Sequence, residues 1–116
     1  MKYLCLIFEA ETLAEKRDEK ANQALFAEYD EFTKEIEASG NHIGGEALLP
    51  TDTATTIRVR NGETLLTDGP FAETKEQLGG YYLIEAASLD EAIEIASRIP
   101  SAKDGCVEVR PVMLIE

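Results

Sequence analysis

A chain of 116 residues with 44% hydrophobic content is sized for one domain with a single core, spanning 1–116. Eleven basic against 23 acidic residues leave a net charge of −12, which repels phosphate backbones and argues against nucleic acid as a partner. No apolar run approaches the roughly 18 residues of a membrane-crossing helix, and one histidine with two cysteines is too few for a metal centre or a disulfide framework.

The first eight residues are apolar on both alternating faces, Tyr3, Cys5 and Ile7 against Leu4, Leu6 and Phe8. That pattern predicts a central strand, not a leader segment, because the run stops at Glu9 without a small-residue cleavage site. The protein reads as cytoplasmic. From Arg17 to Ser39 the period becomes helical, with Leu25, Tyr29, Phe32 and Ile36 on one stripe and Gly40 as a left-handed stop.

His42 to Leu49 reads as a second strand ended by Pro50. Asn61-Gly62 between Thr55–Arg60 and Glu63–Thr67 is a hairpin signal that places Arg60 opposite Glu63 and Ile57 opposite Leu66. Gly80 to Ala86 is the next strand. Ser88 to Glu91 has capping-box spacing, and the following helix carries Leu89, Ala92, Ile93, Ala96 and Ile99 as its apolar stripe. Val107, Val109, Met113 and Ile115 supply a closing strand, which Pro111 interrupts as at an edge.

If that strand lies antiparallel to the first, Cys106 falls near Glu9 and beyond disulfide reach of Cys5, so two free thiols are expected. The order is α+β: a ferredoxin-like βαββαβ with an inserted β-hairpin. Two helices on one sheet face leave the other apolar, and two such faces packed together form a dimeric α+β barrel, so a homodimer is expected.

Candidate chemistry centres on Asp68-Gly69-Pro70-Phe71. One reading is structural: Asp68 accepts turn amides, Pro70 fixes φ and Phe71 plugs the core. The other makes Asp68 a general acid or base, with Phe71 supplying the apolar surroundings that such a role needs. His42, the single histidine, must carry any imidazole chemistry, although a surface or capping role also suits it. Arg58 could hold an anionic ligand. Tyr81 and Tyr82 point to opposite faces, so only one can line a cleft. Gly44-Gly45-Glu46 and Gly79-Gly80 lack the spacing of phosphate loops and fit close backbone approach instead; no cofactor is expected.

The run from Thr67 to Tyr82, with Met1-Lys2-Tyr3-Leu4, Gly44-Gly45-Glu46-Ala47-Leu48 and Val107 to Val112, resembles the DGPF-type branch of the YCII-related domain family. The resemblance implies a dimeric α+β barrel as in YciI-like proteins. It also implies that Asp68 corresponds to an aspartate proposed as an active-site residue, paired in some relatives with a histidine. A few relatives catalyse dehydrochlorination without a cofactor, and some are encoded beside or fused to extracytoplasmic-function sigma factors. The first strand here holds no histidine, which leaves His42 for that partner. Two functions follow. The first is a homodimer that binds a small metabolite, with cofactor-free acid/base chemistry at Asp68 of a lyase or isomerase kind. The second is a non-enzymatic interaction or sensory module linked to transcriptional regulation, with sigma-factor association resting on the resemblance alone.

Overall fold

The computed structural model describes residues 1–115. Strand β1 (Lys2–Glu9) buries Tyr3, Cys5 and Ile7 and leaves Leu4, Leu6 and Phe8 half-buried. A short helix α1 (Glu11–Glu15) follows, which periodicity could not reveal in five residues. Tertiary bonds hold it: the Glu11 N–H donates to Gln77 Oε1 at 3.0 Å, and the Glu11 carboxylate accepts from the Thr51 N–H and hydroxyl.

Helix α2 (Glu19–Ala38) begins later than Arg17 because Asp18 caps it, accepting from the Ala21 N–H at 2.8 Å. Arg17 instead reaches back to Glu9. The helix ends as expected at Gly40, with φ +81° and the Asn41 N–H bonded to the Ile36 carbonyl.

Strands β2 (His42–Ala47), β3 (Thr55–Arg60), β4 (Glu63–Asp68), β5 (Gln77–Glu85) and β6 (Cys106–Pro111) complete the sheets, with helix α3 (Leu89–Ser97) before β6. The main sheet is antiparallel in the order β2-β5-β1-β6, with β1 central. That order is consistent with a ferredoxin-like α+β unit. The β3–β4 hairpin forms a two-stranded sheet of its own.

Several boundaries differ from those read in the sequence. β2 stops at Ala47, not Leu49. β5 starts at Gln77, not Gly80, because an irregularity between Ile7 and Phe8 lets pairing continue through Phe8↔Leu78 and Glu9↔Gln77. β6 ends at Pro111, which indeed lies on an edge strand, and Met113 and Ile115 project into solvent instead of extending it. Cys106 stands opposite Phe8, one residue from the expected Glu9, and both thiols are free. Burial pushes the Cys5 thiol up to about 11.

On α3 the buried positions are Ala92, Ile95 and Ala96, followed by Ile99; Leu89 and Ile93 are exposed. The true stripe therefore runs 92, 95, 96, 99, one flank away from the expected one. The capping box is half made: Ser88 accepts from the Glu91 N–H, while the Glu91 carboxylate accepts from the Asn41 side chain.

The core lies between one sheet face and the two longer helices. Tyr3, Cys5, Ile7 and Ile84 meet Phe32 and Ile36 of α2 and Ala92, Ile95 and Ala96 of α3. Ile36 and Ile84 are fully buried. Among the described residues no helix covers the other face, where Leu4 lies beside Leu83 and Leu6 beside Tyr81, all half-buried.

In the hairpin, Arg60 pairs with Glu63, Val59 with Thr64, Arg58 with Leu65 and Ile57 with Leu66, the register expected from the Asn61-Gly62 signal. Asn61 at φ +51° and Gly62 at φ +77° provide the double left-handed turn that a two-residue loop needs.

Truncating Ile36 to alanine removes a side chain wedged between α2 and the sheet, and is expected to lower stability by about 2–5 kcal/mol in urea titrations. A loss below about 1 kcal/mol would show that this helix–sheet contact does not hold the core.

Candidate functional site

A groove of about 410 Å³ opens between α2 and the β2–β5 edge of the sheet. Leu25, Tyr29 and Thr33 reach it at helical spacing from α2; His42, Gly45 and Tyr82 reach it from the strands. Paired glycines shape its floor. A Cβ on Gly45 would sit 2.7 Å from the Tyr81 carbonyl oxygen and 3.0 Å from the Tyr82 ring, and one on Gly80 would sit 2.9 Å from the Glu46 carbonyl oxygen. The second glycine of each pair thus permits the close approach expected of both; added Cβ atoms on Gly44 and Gly79 would meet nothing.

Tyr82 organises the wall. Its ring lies edge-on to Phe32 at 5.2 Å between centroids and to His42 at 6.1 Å, and parallel to Tyr29 at 6.5 Å. Its hydroxyl shares a 2.8 Å hydrogen bond with Thr33, and Tyr29 donates to the buried Ser101 hydroxyl at 2.6 Å. Burial raises both phenol pKa values above the ordinary tyrosine value, and those hydroxyl bonds only partly offset it.

Glu9 also borders the groove, but Arg17 neutralises it through two bonds of 2.7 and 2.6 Å. Those bonds raise the Arg17 pKa further above its usual value, with desolvation opposing them. The pair is largely buried and bidentate, geometry that outweighs an ordinary surface ion pair. What remains exposed to a ligand is mainly aromatic surface and the His42 imidazole, with Glu46 at the margin.

The other candidates lie elsewhere. Asp68 ends β4, is exposed, and makes no side-chain hydrogen bond among the described residues. It does not hold the turn either: the Gly69 N–H, at φ +103°, donates to the Ala54 carbonyl, and the Thr56 hydroxyl donates to the Gly69 carbonyl. Phe71 does not plug the core. It is 81% exposed, at the rim of a second hollow of about 480 Å³ lined by Phe8, Leu48, Leu49 and Leu78 on the side away from the helices. The core was already filled by β1, β5 and the helices, which leaves Phe71 outside it.

Arg58 is exposed on the hairpin, and Arg60 donates to the Val59 carbonyl without bonding Glu63. The chain therefore brings the His42 and Tyr82 side chains to the first groove, whose lining includes neither Asp68 nor Arg58; Tyr81 borders it, but its side chain alternates to the opposite face beside Leu6. Tyr29, Thr33 and the Glu9–Arg17 pair were missed as site residues. Tyr29 and Thr33, four apart on α2, were the available signal.

Among the described residues no group of three or more His, Cys, Asp or Glu side chains is placed to hold a metal, and no helix is long and apolar enough to cross a membrane. An antiparallel α+β unit with a groove on its helical side defines the class. A family model, the YCII-related domain, matches residues 1–116. An uncharacterized protein of Rhizobium meliloti (strain 1021) is similar, 37% identical over 116 residues that cover 98% of this chain and 94% of that protein. The chain belongs to the YCII-related domain family.

Because folded Tyr29 and Tyr82 keep their protons past the pH near 10 at which an ordinary tyrosine ionises, the native state binds more protons there than the unfolded state. Stability is accordingly expected to fall as pH rises above 10, and the dependence should shrink in Tyr29→Phe and Tyr82→Phe. Urea midpoints between pH 9 and 11 check this; an unchanged slope in both variants would contradict it.

Proposed function

We propose that the protein is a homodimer that binds a small, uncharged and largely apolar molecule in the groove beside Tyr82, one groove per subunit. Surface area carries the dimer part of this reading. A compact monomer of 12.8 kDa exposes about 6,300 Å², whereas the lone chain exposes 8285 Å². Two chains thus carry roughly 4,000 Å² beyond two compact globules, the scale of an obligate homodimer interface. The helix-free sheet face, with Leu4, Leu6, Phe8, Tyr81 and Leu83, is the apolar surface that such an interface would cover. Face-to-face packing of those sheets is the dimeric α+β barrel.

The groove supports the ligand part. Its volume lies within the range of small-molecule sites, and its lining is aromatic with few convergent polar groups. A chain of net charge −12, with Glu9 already paired and Glu46 at the margin, disfavours an anionic ligand there.

Acid/base chemistry at Asp68 requires partial withdrawal from water. The lone chain leaves Asp68 exposed, so in this reading any proton transfer there belongs to the assembled pair. The same exposure favours a second reading, a non-enzymatic interaction or sensory module. Cytoplasmic location is part of both.

Light scattering at micromolar concentration is expected to give twice the 12.8 kDa chain mass, and Leu6→Lys to return the chain mass with helical content retained. A wild-type mass of one chain would overturn the dimer. Thermal-shift titration with indole and p-cresol is expected to raise the melting temperature of the wild type but not of Gly45→Ala, whose methyl group intrudes on the groove floor. No stabilisation by either compound would remove the aromatic-ligand reading.

A further inference from the structure

We infer that the β3–β4 hairpin is an arm that closes over a second copy of this chain and carries Asp68 into the seam between them. The inference rests on the homodimer proposed above and specifies what the second copy does to the exposed aspartate.

The arm does not belong to the body of the subunit. It is a two-stranded ribbon with its own sheet, and nearly all its residues are exposed. Such a ribbon is marginally stable alone in water. The chain's radius of gyration is 16.2 Å, against about 13 Å for a compact domain of this length. Its smallest dimension is 18 Å, with the other two at 47 and 46 Å. A folded chain that extends a bare ribbon is shaped to cover something else.

The register shows which side does the covering. Thr55↔Asp68, Ile57↔Leu66 and Val59↔Thr64 share one face of the ribbon; Thr56↔Thr67, Arg58↔Leu65 and Arg60↔Glu63 share the other. The first face is the apolar one, and its Ile57, Val59 and Leu66 are 63%, 59% and 67% exposed. Asp68 sits at the base of that same face. Whatever seats Ile57 and Leu66 also draws the Asp68 carboxylate out of water.

Charge is compatible with a second copy as the occupant, and the excess surface of the lone chain asks for one. Residues 55–68 hold Arg58, Arg60, Glu63 and Asp68 and are neutral in sum, so the whole net charge of −12 resides in the rest of the chain. Two acidic bodies repel one another. The neutral, apolar arm is the segment that can cross onto the other body at least electrostatic cost, with two guanidinium groups on its outer face.

Sedimentation equilibrium of the wild type, Ile57→Lys/Leu66→Lys and Leu65→Lys tests the arm. Carbodiimide footprinting of wild-type carboxylates in dilute and concentrated protein tests the aspartate. The apolar-face variant is expected to weaken the dimer at least 100-fold and Leu65→Lys less than 5-fold. Asp68 labelling is expected to fall at least 5-fold on assembly, while Glu63, on the opposite face, changes less than 2-fold. Circular dichroism checks that the variants stay folded, and the footprint of the unmodified protein stands whatever they do. A monomer at every concentration would end both the homodimer reading and this inference. A stable dimer in which Asp68 labels as freely as Glu63, or in which the apolar-face variant associates like the wild type, would end this inference alone.

Discussion

One sheet with a single roof governs this molecule. Both longer helices pack on the face that carries Tyr3, Cys5, Ile7 and Ile84, and together they close a core with fully buried Ile36 and Ile95. The opposite face has the same kind of strand-borne apolar residues, Leu4, Leu6 and Leu83, but no layer above it among the described residues. An antiparallel sheet tolerates one wet face when that face is polar. Here it is not, and that mismatch between composition and cover is the constraint from which the homodimer reading follows.

The groove and the aspartate respond to the constraint in different ways. The groove beside Tyr82 is made inside one chain, by α2 crossing the β2–β5 edge and by glycines that let two strands approach closely. It needs no partner to exist. Asp68 is the reverse case: its backbone is held by the Gly69–Ala54 and Thr56–Gly69 bonds, while its side chain has no bonded neighbour among the described residues. Water solvates that exposed carboxylate in the lone chain, so withdrawing it from solvent would take another surface. The proposed binding at the groove and the proposed proton transfer at Asp68 therefore place separate demands on the fold.

The strands were the most legible part of the sequence. Apolar residues on both faces of Tyr3 to Phe8 marked a central strand, and the Asn61-Gly62 turn determines the hairpin register locally, so the pairing there agrees residue by residue. Boundaries set by distant partners were not legible. β5 begins at Gln77 because β1 is there to pair with it, and α1 exists because Gln77 and Thr51 bond Glu11. The α3 stripe was misjudged because Leu89 and Ile93 are as apolar as Ile95; only the sheet decides which flank is buried. His42 and Tyr82 were legible as candidates by residue type, whereas their meeting with Tyr29 and Thr33 depends on where α2 crosses the sheet. Phe71 was misplaced for the opposite reason: an aromatic residue after a turn usually buries itself, and here the core was already full.

Nuclear Overhauser contacts between isotopically labelled and unlabelled copies report directly on what covers the helix-free face. If a second subunit lies there, filtered spectra of a mixed sample will connect Leu4, Leu6 and Leu83 methyl groups of one copy to protons of the other. Spectra in which those methyls meet only water and their own chain would contradict the account.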